Sequence, residues 1–156
     1  MKKSLILGSL LMACLSVSIF SCHSSSEEEP EYINTFHFRE PLTSWSATPD
    51  AVEQYMSGYS LVSSSPYSLV YEGRDSETSY LYAFSSLSGT LTYAVVTFLP
   101  DQKSEAILFL EQHYTRHSEQ DGALVFSDDA SSTTITATSD PSTFRLTYMS
   151  NAYMAR

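Results

Sequence analysis

Uncharged, mostly apolar residues run from 4 to 20, directly after Met1-Lys2-Lys3, and a stretch with no apolar side chain runs from 24 to 30. Further on, the periodicity becomes that of folded elements. Val52, Tyr55, Met56 and Tyr59 recur at spacings of three and four, which predicts a helix of about ten residues with one apolar face. Thr48-Pro49-Asp50 supplies its start, with a hydroxyl N-cap, a proline at the first helical position and an acid in the first turn, and Gly58 supplies its end. Residues 63–66 read as a loop. Strands are predicted at 67–72, 78–84 and 90–99, joined by turns at 73–76 and 85–89. Pro100-Asp101 then punctuates, and the pattern restarts. Ala106, Ile107, Leu110 and Tyr114 form a second helical stripe, Asp121-Gly122 makes a turn, and strands follow at 123–127, 133–139 and 143–149.

The two halves, about 45–99 and 100–156, superpose at a constant shift of 55 residues. Ala51 falls on Ala106, Val52 on Ile107, Tyr55 on Leu110, Tyr59 on Tyr114, Leu69-Val70-Tyr71 on Leu124-Val125-Phe126, and Thr78 on Thr133. These matches fall on helix-stripe and strand positions without a gap, which points to a duplicated α-β-β-β unit. Short turns make the strands antiparallel. The expected fold is therefore α+β: a tandem α-β-β-β repeat forming an antiparallel sheet with two helices packed on one face. This layout resembles the β-lactamase-inhibitor-protein-like tandem repeat, and each half resembles the small α-β fold of outer-membrane assembly lipoproteins. The resemblance spans roughly residues 45–149 and rests on element order. It implies a fold and transfers no functional residue.

The N-terminal segment has a charged start, a short apolar core broken by Ser9, Ser16 and Ser18, and small residues near its exit. Those are the marks of an export signal, and the run falls short of the ~20 apolar residues needed to span a membrane. Ile19-Phe20-Ser21-Cys22 resembles the lipobox of bacterial lipoproteins, with an aliphatic residue three places before the cysteine and a small one directly before it. Phe20 departs from that pattern. Leu11-Met12-Ala13-Cys14 is a second partial match, but cleavage there leaves the apolar residues 15–20 on the mature chain. The resemblance implies removal of residues 1–21, acylation of Cys22 (a palmitate-type modification) and anchorage in the outer membrane. Stable anchoring takes two or more acyl chains. The alternative is an ordinary thiol on a secreted protein. Residues 22–34 then serve as an acidic tether ahead of a single domain, 35–156. Glu27-Glu28-Glu29 also resembles the surface-export signal of Bacteroidetes-type lipoproteins, and a plain solvated spacer is the other reading. With Cys14 removed and Cys22 acylated, no thiol remains for a disulfide, a metal or catalysis.

Strand alternation separates two faces. In the second half Leu124, Phe126, Ile135, Ala137, Phe144, Leu146 and Tyr148 share one face, and Thr134, Thr136, Thr138, Arg145 and Thr147 the other. The same register in the first half turns Leu69, Tyr71, Tyr80, Tyr82, Phe84, Leu91, Tyr93 and Val95 inward. It turns Val70, Leu81, Ala83, Ala94, Val96 and Phe98 outward. An apolar outer patch marks a partner or ligand surface, so Val70, Leu81, Ala94, Val96 and Phe98, edged by Glu72 and Arg74, form the candidate binding site. The alternative is that residues 35–42 or the C-terminal tail fold over the patch and complete a two-sided core.

The chain carries a net charge of −10, and removing residues 1–21, which hold Lys2 and Lys3 but no acid, makes it −12. Such a chain repels phosphates and has no Lys/Arg cluster, which argues against nucleic-acid partners. Eleven Tyr invite a glycan-binding reading, but most alternate with polar residues as core positions do. Trp45 reads as a staple onto the first helix. His113 and His117, four apart on the second predicted helix, lack the His-Glu-x-x-His pattern of a zinc protease. No Ser sits in a Gly-x-Ser-x-Gly elbow, His37 has no evident partner, and Asp128-Asp129 reads as a solvated turn. No catalytic set, metal or cofactor is expected. The expectation is a non-catalytic, lipid-anchored envelope protein acting as a protein-interaction module, with a glycan- or small-ligand-binding accessory lipoprotein as the alternative.

Overall fold

The computed structural model describes residues 38–74, 78–117, 119 and 122–154, all within the unit Asn34–Arg156. The export segment, Cys22, the acidic tether and His37 lie outside the described residues.

Helix α1 (Pro49–Tyr55) leads into strands β1 (Ser60–Ser65), β2 (Ser68–Glu72), β3 (Ser79–Phe84) and β4 (Leu91–Phe98). A 3-10 turn at Pro100–Gln102 opens helix α2 (Lys103–His113), followed by β5 (Thr115–Arg116), β6 (Leu124–Asp128), β7 (Thr133–Ser139) and β8 (Phe144–Ser150). A last turn of helix, α3, covers Asn151–Met154. The fold is α+β. Its eight strands form one sheet in the order β1-β2-β3-β4-β8-β7-β6-β5, every neighbouring pair antiparallel. The last strands of the two halves, β4 and β8, therefore meet at the centre, and the two halves run outward from them.

Six of these strands match the predicted ones, and β1 and β5 correct the sequence reading. Residues 63–66 are not all loop: Ser63–Ser65 pair with β2, although Ser-rich residues exposed on both faces carry no hydrophobic alternation to announce a strand. Helix α1 is shorter than predicted, stopping at Tyr55 with Met56 as its C-cap. Gly58, at φ +92°, completes the turn that follows, which the Tyr59 N–H closes by donating to the Met56 carbonyl at 2.9 Å. The Thr48 hydroxyl makes no capping bond, so the helix starts on the extended Thr48 backbone and Pro49.

One buried cluster holds the fold together. It includes Val52 and Met56 of α1, Ala106 and Leu110 of α2, and Leu69, Tyr71, Tyr80, Tyr82, Phe98, Phe126, Ile135, Leu146 and Tyr148 of the sheet. The helical members stand 54 residues apart (Val52 to Ala106, Met56 to Leu110), one fewer than the shift read from the sequence. The strand members Tyr71 and Phe126, and Tyr80 and Ile135, stand 55 residues apart, as do the buried threonines Thr78, just ahead of β3, and Thr133.

Residues 38–42 lie on this same core. The Phe38 ring stands 5.4 Å from Phe98 and 5.0 Å from Phe109 of α2. Backbone N–H groups of Arg39 and Leu42 donate to the hydroxyls of Tyr80 (3.2 Å) and Tyr82 (3.4 Å), and the Tyr55 hydroxyl of α1 donates to the Glu40 carbonyl at 2.6 Å. This stretch thus touches both helices and the inward residues of the sheet, and it is not the cover of the outer face that the sequence allowed. Trp45, read from the sequence as a staple onto the first helix, packs against the buried cluster, and its indole N–H donates to the Thr133 hydroxyl of β7 at 3.2 Å, across 88 residues of chain.

Candidate functional site: the outer face of the sheet

The outward residues follow from the pairing register. One row runs across the sheet as Val70, Leu81, Val95, Thr147, Thr136 and Val125. The adjacent row runs Ser68, Ala83, Tyr93, Met149, Thr134 and Ser127. All twelve are half-buried, as side chains flanked by neighbours on a pleated surface are. Neither row contains a charged residue, in a chain with 18 acidic side chains. The β2-β3-β4 side is apolar and the β7-β6 side is rich in hydroxyls. A third row, Glu72, Ser79, Thr97, Arg145 and Thr138, brings charge to the margin, where Arg145 pairs with Asp140 at 3.2 Å.

This composition differs from the sequence expectation at β4. Val70 and Leu81 do face outward, as predicted. Ala94, Val96 and Phe98 do not: they are 0%, 0% and 1% exposed and belong to the core. Tyr93 and Val95, expected inside, take the outer positions. The cause is a bulge. Ala83 pairs with Tyr93 while the next residue, Phe84, pairs with Leu91, so Thr92 is an extra residue and the side chains after it change face. Two threonines in the strand carried the signal. Thr92 and Thr97 are five apart, and regular alternation cannot turn both toward water.

The opposite side of the sheet holds a polar cluster inside the core. Glu40 Oε1 and the Tyr148 hydroxyl are both buried and unpartnered, and the Tyr71 hydroxyl shares that condition. Burial raises the Glu40 carboxyl above the ordinary range, and Asp128 adds to this while His113 opposes it. Burial likewise pushes the Tyr148 phenol well up, with Glu40 the next contributor. The Arg39 guanidinium lies over the Tyr55 ring, 4.1 Å from its centroid. Nearby, a shallow surface depression of about 410 Å³, open to solvent, is lined by Leu42, Ser44, Ala47, Ala51, Gln54 and Tyr55.

The histidines do not converge. Helix α2 ends at His113, so His117 is not on it. The His113 ring stacks on Phe109 at 4.3 Å and its Nδ1 lies 2.8 Å from the Phe109 carbonyl. His117 Nε2 lies 2.7 Å from the Ser127 hydroxyl. Among the described residues no group of three His, Cys, Asp or Glu could hold a metal. Asp128 closes β6 instead of lying in a turn, and its Oδ1 accepts the Ala130 N–H at 2.9 Å. Comparison with protein-family models, with curated proteins and with solved structures finds no match for this chain.

Proposed function

We propose that this chain is a non-catalytic envelope protein, held to the outer membrane through acylated Cys22, whose domain docks a protein partner on the outer face of its sheet. One observation carries the reading: Val70, Leu81, Val95, Ala83, Tyr93 and Met149 form a contiguous apolar area flanked by uncharged hydroxyls. Burial of such an area against a complementary, uncharged protein surface removes apolar atoms from water without stranding a charge. We further read the domain as a tandem repeat with both helices on the inner face. The mirror-like strand order and the buried pairs Tyr71/Phe126, Thr78/Thr133 and Tyr80/Ile135 support this.

The test is cross-linking in native cells followed by affinity capture, with Val95→Glu as the diagnostic variant. The expected result is one dominant envelope protein, captured with the wild type and lost with Val95→Glu while circular dichroism shows an unchanged fold. Equal capture by both forms refutes the docking face. Anchorage is tested by Cys22→Ser, which should move the protein out of the membrane fraction and abolish incorporation of labelled palmitate. A second reading, a small-ligand or glycan site, is favoured by the open depression between Leu42–Ala47 and α1, lined mostly by apolar atoms with Ser44, Gln54 and Tyr55 as its polar groups. Ligand-dependent thermal stabilisation that is lost when Ala51→Phe occupies the depression would select it.

A further inference from the structure

His117 belongs to the outer face of the sheet. It follows β5 directly, and its backbone N–H donates to the Val125 carbonyl of β6 at 2.8 Å, which continues the β5–β6 pairing by one residue. Side chains alternate along this strand. Arg116 lies opposite the buried Phe126, so Thr115 and His117 fall on the outer side. The imidazole agrees, since its Nε2 lies 2.7 Å from the hydroxyl of outward Ser127. His117 therefore ends the outer row that begins at Val70 and reaches Val125.

The two rows carry no carboxyl, ammonium or guanidinium group, and an imidazole is the side chain whose charge changes between about pH 5 and 8. Its surroundings on the face are uncharged as well. Strand β5 ends the sheet, so β6 is the strand beside it, with Val125 and Ser127 outward, and Thr134 and Thr136 of β7 come next. The nearby charges lie elsewhere. Asp128 of β6 stands opposite the buried Thr133, and α2, which leads into β5, brings Glu111 to Arg116 at 2.6 Å and stacks His113 on Phe109. Glu119 lies beyond the strand, exposed.

We infer that His117 gates docking on this face, which is open while the imidazole is neutral and weakened once it takes a proton. The inference rests on the docking reading proposed above. A partner that covers a neutral imidazole displaces water from a polar group whose hydrogen bond to Ser127 persists. A partner that covers an imidazolium must strip water from a full charge, which costs far more unless a counter-charge pairs with it. The uncharged partner surface of that reading supplies none. The bound state therefore disfavours the proton, and affinity falls as pH drops, by at most ~tenfold per pH unit for a single proton.

The experiment is photo-cross-linking in isolated envelope membranes, with the full chain carrying Thr138→p-benzoylphenylalanine on the exposed margin of the face. Three forms are compared at about pH 7.5 and about pH 5.5, on either side of the imidazole range: His117 retained, His117→Gln and His117→Lys. The expected result with His117 is one cross-linked product whose yield falls severalfold on acidification. His117→Gln, which can still hydrogen-bond Ser127 but does not titrate, should give a product indifferent to pH, and His117→Lys, a permanent cation, a faint product at both. A product that ignores pH when His117 is present overturns the gate and leaves the docking face standing. An equal fall in His117→Gln overturns the gate too, since the proton then acts elsewhere, as does a His117→Lys product as strong as that of the His117 form at the higher pH. No product from any form, in chains that circular dichroism shows to be folded, overturns the docking face and the gate with it.

Discussion

Val95 and Val96 are neighbours in β4 with opposite fates, and replacing each by Ala measures the bulge directly. Val96 is fully buried and Val95 is half-buried on the outer face. Val96→Ala removes two buried carbons, a transfer loss of about 1.6 kcal/mol, and leaves a small cavity among close-packed neighbours, for about 2–3 kcal/mol in all. At Val95 the transfer loss is roughly half as large, and an open surface leaves no enclosed cavity, so the cost is about 0.5–1 kcal/mol. The lower strand propensity of Ala is common to both and cancels in the comparison. The expected gap is therefore about 1.5–2 kcal/mol, roughly 5–10 °C in Tm for a domain of this size. Urea titration followed by circular dichroism measures it. Glutamate sharpens the contrast: Val96→Glu should not fold, whereas Val95→Glu should. If Val95→Ala costs as much as Val96→Ala or more, the strand alternates without the slip at Thr92, and the outer face assigned to Tyr93 and Val95 is wrong.

Glu40→Gln should stabilise the protein at neutral pH. Burial raises the Glu40 carboxyl in the folded state, so the fold binds that proton more tightly than the unfolded chain does. The resulting stability is fully present below the ordinary carboxyl range and is lost as pH rises through the raised value. Urea midpoints for the two forms should converge at acid pH and separate above it, and equal midpoints at neutral pH would show that the carboxyl is well solvated. Trp45→Phe removes the hydrogen bond to Thr133 and should cost about 1 kcal/mol, near the low end for a buried hydroxyl because the Ser131 hydroxyl also donates to Thr133 at 2.8 Å. Since Trp45 is the only tryptophan, its melting curve is followed by circular dichroism, and an unchanged Tm would mean the contact carries no stability.

Local pattern alone was enough for much of this protein. The 3/4 spacing around Val52 and Ala106 and the alternation in β2, β3, β6, β7 and β8 announce two helices and most of an antiparallel sheet, because one-sided burial imposes a period on each element. The inward set Leu124, Phe126, Ile135, Ala137, Phe144, Leu146 and Tyr148 was legible for the same reason, since its neighbours in β7 and β8 are mostly Thr and Arg. Tertiary structure decided the rest. Strands β1 and β5 are held by backbone pairing to a neighbour, which leaves no periodicity in a Ser-rich or two-residue segment. Sequence alternation turned Ala94, Val96 and Phe98 outward, the wrong way, because the strand is apolar on both sides and either phase buries similar side chains; Thr92 and Thr97 hint at a slip, and the pairing with Phe84 places it. Residues 38–42 carry no periodicity that tells which face of the sheet they meet, and the hydroxyls of Tyr80 and Tyr82 tie them to the inner one by accepting backbone N–H groups across some forty residues. Sequence patterning reports how one element meets water, whereas the order of strands, the slip within one of them and the contacts of a distant segment depend on which surfaces meet, and only the assembled sheet determines that.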